Sequence, residues 1–433
     1  MSLRNKISRR EAKVAVIGLG YVGLPLAVEF AKVGFETVGI DVDRGRVANL
    51  NKGKSYLLDV PDKDIGPLVR KGKLRGTVDH AVLKEVDAVS ICVPTPLRKT
   101  KEPDVSYIMA AAREVARYAG REQLIILEST TYPGTTREIV LPLLEEQGLK
   151  AGKDFYLAFS PERVDPGNCR YKTRDIPKVV GGITSQCTRM AKLLYEQIIQ
   201  AVIPVSSTET AEMVKLLENT FRTVNIGLVN EMALISNRLG IDVWEVIEAA
   251  ATKPFGFMPF YPGPGLGGHC LPIDPFYLSW KARLNDFPAR FIDLAGEINH
   301  FMPRYVVEKI NEALNERRKS LKGAKIFILG VTYKRDVDDV RESPAIEIME
   351  MLLRKGAAVS YNDPYAPELR VDTTLFKSVS FSGKSLEEVD CVAIITDHNS
   401  YDYKRIVKSA PLIIDTRNAT KGISKGREKI IRL

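Results

Sequence analysis

Short apolar runs closed by glycine, proline or polar residues alternate with longer amphipathic stretches over the first two hundred positions of this chain. Lys13–Gly18 reads KVAVIG and predicts a buried strand, followed by a helix through Leu26, Ala27, Phe30 and Ala31 and a second strand, Thr37–Ile40, ending at Asp41. Further parallel strands are predicted at Ala88–Val93, Leu124–Glu128, Phe155–Phe159 and Lys178–Gly181, with helices between them. From Ser206 the pattern changes to a long helical stretch that reaches Leu239, and helices continue to about Arg318. Lys325–Gly330, KIFILG, restarts the strand and helix alternation, with a helix from about Ser343 to Lys355 and strands at Ala358–Tyr361, Cys391–Ile395 and Leu412–Ile414. Strands regularly separated by helices predict parallel sheets of the α/β class. The expected division is an N-terminal α/β domain over 1–205, a helical middle domain over 206–318 and a second α/β domain over 319–433.

The turn after the first strand, Gly18-Leu19-Gly20-Tyr21-Val22-Gly23, has the spacing that cradles a dinucleotide pyrophosphate. The first glycine makes the tight turn, the second lets backbone approach phosphate and the third packs helix on strand. Asp41 lies where an acid accepts from the ribose 2′-hydroxyl and repels a 2′-phosphate, which favours NAD over NADP, although Arg44 stands close by. In such sheets ligands sit beyond the carboxyl ends of the strands. Val93-Pro94-Thr95-Pro96, Ser129-Thr130 and Ser160-Pro161-Glu162-Arg163 therefore point at one crevice.

Gly265-Leu266-Gly267-Gly268-His269-Cys270-Leu271-Pro272-Ile273-Asp274 sets one thiol among small residues, with a carboxylate four positions on. Pro262, Pro264 and Pro272 restrain this loop, so that Cys270 is offered to a substrate as a nucleophile, although a lone cysteine is more often a small buried hydrophobe. Lys215, Asn219 and Arg222 recur at i, i+4 and i+7 and share one helix face, although such a trio is on pattern alone more often a solvated face. In the second α/β unit the first turn is Val331-Thr332-Tyr333-Lys334-Arg335-Asp336, with cations where glycines would be, so a charged ligand held by side chains is expected there.

Composition narrows the classes. The chain has 433 residues, 45% hydrophobic and 27% charged, with no apolar run long enough to span a bilayer and no signal core behind its charged N-terminus, so neither membrane insertion nor export is expected. The net charge of +9 is spread among acids rather than gathered into a patch, which argues against nucleic acid. Five scattered cysteines fit reduced thiols in a cytoplasmic protein, and His80, His269, His300 and His398 lack metal-ligand spacing, so no metal is expected. The basic tail after Thr416 reads as a solvated end, Arg417 apart.

GLGYVG, VPTP, SPER, the Lys215/Asn219 helix, GGHC and the Tyr333-Lys334 to Arg341-Glu342-Ser343 segment occur here in one order, and that order resembles the UDP-glucose / UDP-N-acetyl-hexosamine 6-dehydrogenase family over nearly the whole length. The resemblance implies two Rossmann-like domains joined by a helical middle domain with a long central helix that makes a homodimer. It implies oxidation of a sugar C6 alcohol to a carboxylate with two NAD, through thiohemiacetal and thioester intermediates on Cys270. Within it Lys215 stabilises oxyanions or shuttles a proton, Asn219 donates a hydrogen bond, Asp274 with a water acts as base, Glu162 helps activate the hydrolytic water and Thr130 holds that water near the nicotinamide. Tyr21, Val22, Asp41, Thr95, Thr130 and Arg341 match cofactor contacts. Arg163, Val164, Lys215, Asn219, Arg222, Tyr261, Gly267, Tyr333, Lys334 and Arg417 match positions holding the nucleotide sugar.

Two departures bear on the sugar. Ile273 stands where UDP-glucose enzymes carry a lysine near the nucleophile, and Thr252–Pro264 is apolar where they tend to place an arginine. With Pro161-Glu162-Arg163-Val164-Asp165-Pro166-Gly167-Asn168, these features resemble the N-acetyl-hexosamine branch, UDP-GlcNAc first, with UDP-ManNAc, UDP-GalNAc and UDP-glucose as alternatives. An N-acetyl methyl would pack against Phe257 or Tyr261. A non-catalytic protein that binds nucleotide sugar and NAD would not need Cys270, Lys215 and Asp274 together. A two-electron 3-hydroxyacid dehydrogenase would leave the last hundred residues and Cys270 unexplained.

Overall fold

The structure, a computed structural model, describes residues 1–57, 59–98, 102–146, 148–164, 171 and 173–433. It divides into two compact units, Met1–Glu218 with Trp280–Phe287, and Asn219–Ser279 with Pro288–Leu433.

The first unit is built on one sheet of β1 (Lys13–Ile17), β2 (Glu36–Ile40), β3 (Leu74–Thr77), β4 (Ala88–Ile91), β5 (Leu124–Leu127), β6 (Tyr156–Phe159), β7 (Lys178–Gly182) and β8 (Val202–Pro204), in the order β3-β2-β1-β4-β5-β6-β7-β8. β1, β4, β5 and β7 are buried almost throughout, as expected of strands with helices on both faces. The winding reverses between β1 and β4, which places the glycine turn and the Cys92–Thr95 loop side by side at the carboxyl ends. β7 corrects the expectation of parallel strands: it runs antiparallel to β6. A parallel return needs a helical crossover, whereas the described part of the β6–β7 connection holds only a short turn at Thr173–Asp175. The start of β7, at Lys178, therefore lies beside the end of β6. β3 and β8 were not foreseen, because LRGT buries one position of four and VIP is three residues with a proline.

The helix Thr208–Leu239 is 32 residues long, about 48 Å at 1.5 Å per residue. Its residues to Glu218 belong to the first unit and those from Asn219 to the second.

The second unit carries a parallel sheet of β9 (Lys325–Leu329), β10 (Ala358–Asn362), β13 (Cys391–Ile394), β14 (Ile413–Asp415) and β15 (Ile430–Arg432), ordered β10-β9-β13-β14-β15, and a separate hairpin of β11 (Glu368–Val371) and β12 (Thr374–Lys377). Val306, Ile310 and Ala313 of the helix Arg290–Glu316 share a core with Ile326 and Ile328 of β9 and with Ile348 and Leu352 of the helix Pro344–Arg354. The basic tail is not a solvated end. β15 pairs with β14, the Arg432 guanidinium meets Asp242 at 2.5 Å and Trp244 Nε1 donates to the Leu433 carbonyl at 3.2 Å. Two consecutive isoleucines among charges are too short a run to register as a strand in sequence. Among the described residues no helix is long and apolar enough to cross a membrane, and no His, Cys, Asp and Glu cluster has metal-site geometry.

Candidate active site

At the dinucleotide turn, Gly18 takes φ +90°, and a Cβ there would fall 2.5 Å from the Cys92 carbonyl oxygen. A Cβ on Gly23 would lie 1.8 Å from the Gly18 oxygen, whereas one on Gly20 meets nothing within 4 Å. Two of the glycines thus allow close packing and the middle one leaves room for a phosphate, so the turn fits a dinucleotide. Asp41 is buried: Leu19 N–H donates to its Oδ2 at 2.7 Å, Asp43 N–H to its Oδ1 at 2.8 Å, and Arg46 Nη1 stands 3.4 Å from Oδ2. The cation beside the carboxylate is therefore Arg46; Arg44 is exposed at the start of the helix Arg44–Asn51. Tyr21 is exposed, Val22 and Thr130 are half-buried and Thr95 is buried.

A charged cluster closes the carboxyl ends of β5 and β6. Lys178 Nζ lies 2.7 Å from Glu128 Oε2 and 3.5 Å from Glu162 Oε2, and 4.9 Å above the Tyr195 ring. Tyr195 donates its hydroxyl to Glu128 Oε1. Glu162 Oε1 accepts from Val164 N–H at 2.7 Å and Arg163 N–H at 2.8 Å. Burial alone would raise the Glu162 pKa, but Lys178, these amides and Lys215 hold it below the usual carboxylate range. Glu128 goes the other way, pushed up by burial despite Lys178. The Arg163 side chain is spent on Glu218, at 2.6 and 3.2 Å, and on the Pro177 carbonyl. Of the Pro161–Asn168 run, residues 165–168 lie outside the described residues.

The long helix carries a buried polar stripe. Glu212, Lys215, Asn219, Thr223 and Asn230 are all closed to solvent, with Lys215 8% and Asn219 5% exposed, while Arg222 is exposed and departs from the face expected for it. In the first unit Glu212 accepts from Gly134 N–H, Thr136 N–H and Thr136 Oγ1 at 2.6 to 2.9 Å. Burial raises its pKa to about 7. In the second unit the stripe grips the cysteine loop: Asn219 Nδ2 donates to Asp274 Oδ2 at 2.5 Å, Thr223 Oγ1 to the Leu271 carbonyl at 3.1 Å, and Gly263 N–H to Asn230 Oδ1 at 2.9 Å. Asn230 Nδ2 donates in turn to Asn299 Oδ1 at 2.8 Å.

Cys270 is exposed, and its carbonyl accepts from Asp274 N–H at 2.8 Å, so Asp274 starts the helix Asp274–Arg283 one turn beyond the thiol. Burial, with Arg341 nearby, holds His269 below its usual pKa, so it is neutral near pH 7 and is not a cation for a Cys270 thiolate. The other described cysteines, Cys92, Cys187 and Cys391, are buried.

The glycines before Cys270 lie on the first turn of the β9 sheet. Cβ atoms on Gly267 and Gly268 would stand 2.6 Å from Tyr333 Cβ and 2.7 Å from its ring, and Gly268 N–H donates to the Arg341 carbonyl at 3.0 Å. Lys334 is half-buried beside Tyr333. The Arg341 side chain grips Asp339 through Nε at 2.9 Å and Nη2 at 2.6 Å. Arg417, half-buried, donates from Nε to the Ile395 carbonyl at 2.9 Å and brings its Nη1 2.7 Å from where a Gly263 Cβ would be. Burial and Arg335 lower its pKa to about 10, still cationic at neutral pH. Tyr261 is exposed and stacked on Trp244 at 15°.

Three consecutive stretches match models of one family. Residues 12–199 match the NAD binding domain of the UDP-glucose/GDP-mannose dehydrogenase family, 209–301 its central domain and 327–422 its UDP binding domain. The chain belongs to this family. As a member it is an NAD-dependent oxidoreductase of nucleotide sugars, with the Rossmann-like, helical and Rossmann-like order expected. It is 38% identical over 358 residues to a UDP-N-acetyl-D-glucosamine 6-dehydrogenase of Pseudomonas aeruginosa, covering 82% of this chain and 83% of that one. It is 38% identical over 419 residues to a UDP-N-acetyl-D-mannosamine dehydrogenase of Pyrococcus horikoshii, covering 94% and 96%. The structure of a UDP-D-ManNAc dehydrogenase from Pyrococcus horikoshii superposes with a TM-score of 0.88 at 37% identity, over 97% of this chain and 98% of that one.

Sequence reasoning passed over Arg46, Glu128, Lys178, Glu212, Thr223 and Asn230 in this enzyme. The helix residues among them carried a signal, since 212, 219, 223 and 230 repeat at intervals of seven and four. Glu128 was taken as the end of a strand and Lys178 as the start of one, and neither position marks a buried ion pair in sequence.

Proposed function

We propose that the enzyme oxidises the C6 hydroxyl of a UDP-N-acetylhexosamine, UDP-GlcNAc first, to the uronic acid in two steps with NAD. The observation that carries this is the exposed Cys270 one turn from the buried Asn219–Asp274 pair. A dehydrogenase that stopped at the ketone or aldehyde needs no such thiol. NAD, when bound at the Gly18–Gly23 turn, accepts the hydrides. The chain supplies the trap: Cys270 Sγ bonds to the C6 aldehyde carbon to form a thiohemiacetal, whose oxidation leaves a thioester. Water then adds to the acyl carbon, the C–S bond breaks and the thiol is restored. Asp274, oriented by Asn219, takes protons through a water; Lys215 steadies oxyanions; Glu162, with Thr130, serves the hydrolytic water. Tyr333, Lys334, Arg417, Tyr261, Gly267, Arg163, Val164 and Arg222 are assigned to the sugar nucleotide, as the family resemblance implies.

The N-acetyl reading is supported by Ile273 in place of a lysine and by the two relatives above, one acting on UDP-GlcNAc and one on UDP-ManNAc. UDP-ManNAc is the second reading, because that relative matches over more of the chain. Exposed Phe221, Leu228, Met232 and Ile235 form an apolar stripe on the long helix, which supports a homodimer. We place the enzyme in the cytoplasm, and take 1–205, 206–318 and 319–433 as its working domains.

The deciding experiment supplies UDP-GlcNAc, UDP-ManNAc, UDP-GalNAc and UDP-glucose separately and counts NADH per sugar consumed. About two are expected for an alcohol taken to an acid, one hydride per nicotinamide. A ratio near one with the preferred sugar overturns the mechanism. Cys270→Ser should make no acid at a steady rate, and full turnover in that variant would exclude covalent catalysis.

A further inference from the structure

The buried cluster around Lys178 has no part in the scheme above, yet it touches one of its residues. Lys178 is nearly closed to solvent and faces two carboxylates, Glu128 at 2.7 Å and Glu162 at 3.5 Å. Glu128 is itself anchored by the Tyr195 hydroxyl, and Tyr195 lies under the ammonium. The backbone of Val164 and Arg163 occupies Glu162 Oε1, so Oε2 is the oxygen that faces Lys178. The antiparallel entry of β7 brings this ammonium to the end of β6.

We propose that Lys178 is a positioning residue for the hydrolytic half of the reaction, holding Glu162 ionised with Oε2 presented to the attacking water. This rests on the reading that Glu162 acts on the thioester. In that step the water oxygen bonds to the acyl carbon, the C–S electron pair goes to Cys270 sulfur, and the proton released by water passes to the Glu162 carboxylate. A buried glutamate without a cation would be protonated and unable to take it. The groups facing Glu162 are Lys178 from β7, Lys215 from the long helix and Glu128 at the end of β5, with Cys92 after β4. Of the two carboxylates sharing Lys178, Glu128 is pushed up and Glu162 down, so Glu162 stays ionised to lower pH. Divergent environments of this kind separate acid and base roles.

The test follows single turnovers by NADH absorbance and by the mass of the Cys270 acyl adduct, in holoenzyme supplied with the preferred UDP-sugar. Lys178→Met should keep NADH formation within a few-fold and slow acid release on the order of 10²-fold, the scale of general-base catalysis. The acyl adduct should accumulate, and the acidic limb of its decay should move up by about one pH unit or more. Should that variant not fold, the double variant Lys178→Gln/Glu128→Gln removes the cation together with one carboxylate, leaves the net charge of the cluster unchanged and should show the same adduct. Lys178→Arg should restore hydrolysis. A structural role alone would slow NADH formation and acid release equally, and that result overturns the proposal. Glu162→Gln separates the two ideas: if it accumulates adduct while the Lys178 variants do not, the proposal fails alone, and if it releases acid at the normal rate, the reading of Glu162 fails and the proposal with it.

Discussion

Asn219 Nδ2 sits 2.5 Å from Asp274 Oδ2, and both side chains are almost closed to solvent. One comes from the long helix and the other from the first turn after Cys270, so this contact sets where the carboxylate stands relative to the thiol. Asn219→Ala should leave a buried carboxylate short of a donor and cost about 1–3 kcal/mol of stability. Catalysis should fall on the order of 10²-fold, as when one preorganised donor is lost. Thermal melts and kcat/KM would check both, and a variant with native activity would remove Asn219 from the site.

We propose that cofactor choice turns on Asp41 and Arg46, whose side chains meet at 3.4 Å. Asp41→Ala should weaken NAD and free the Arg46 guanidinium to meet a 2′-phosphate, so use of NADP should rise relative to NAD. Adding Arg46→Ala should cancel the rise, whereas adding Arg44→Ala should not. The kcat/KM ratio for the two cofactors reads this directly, and an unaltered ratio in Asp41→Ala would mean that another group reads the ribose.

Glu212 predicts a pH dependence of stability. Its pKa in the fold, about 7, lies above the ordinary 4.5, because burial opposes its charge. The folded chain therefore binds this proton more tightly than the unfolded one, and the stability involved is present below about 4.5 and lost as pH rises through about 7. Glu212→Gln should flatten the slope of unfolding free energy against pH across that window. It should also lower stability by about 1–3 kcal/mol, because the amide keeps one acceptor oxygen and turns its NH2 toward the N–H donor of either Gly134 or Thr136. Denaturant titrations at a series of pH values would reveal either change, and parallel slopes would refute the assignment.

Removing residues 430–433 should cost the second unit its outer strand, the Arg432–Asp242 pair and the Trp244 hydrogen bond. A fall in melting temperature of about 4–8 °C is expected for a loss of roughly 2 kcal/mol. A tail without structural role would leave the melt unchanged. Trp244 fluorescence should shift as its indole loses the Leu433 carbonyl.

Much of the architecture was legible because it rests on local signals. Val14 to Ile17, Leu124 to Leu127 and Ile326 to Leu329 are buried runs that read as strands wherever they occur, and the Gly18–Gly23 turn combines φ, sterics and phosphate access in six positions. The exposure of Cys270 was legible for a similar reason, since its glycines and prolines are adjacent in sequence. The direction of β7 was not: it depends on the path of its connection, and VVGG reads the same in either sense. The tail escaped because a two-isoleucine strand is stabilised by β14 rather than by its own pattern.

What the sequence determined by itself is the alternation of buried strands and helices, the dinucleotide turn and the exposure of Cys270, each carried by residues within a turn or two of one another. Tertiary structure alone decided which charges face each other. Lys178 is separated from Glu128 by fifty positions, and Asn219 from Asp274 by fifty-five. Neither pair leaves a periodic trace, because an ion pair or a hydrogen bond needs only two atoms within about 3 Å. The burial that gives those contacts their strength, and the cations and amides that hold Glu162 down while burial pushes Glu128 up, come from strands and helices far away in the chain. For the same reason the long helix is read from sequence as a helix, and only its packing shows that Asn219 and Thr223 face the cysteine loop while Arg222 faces water.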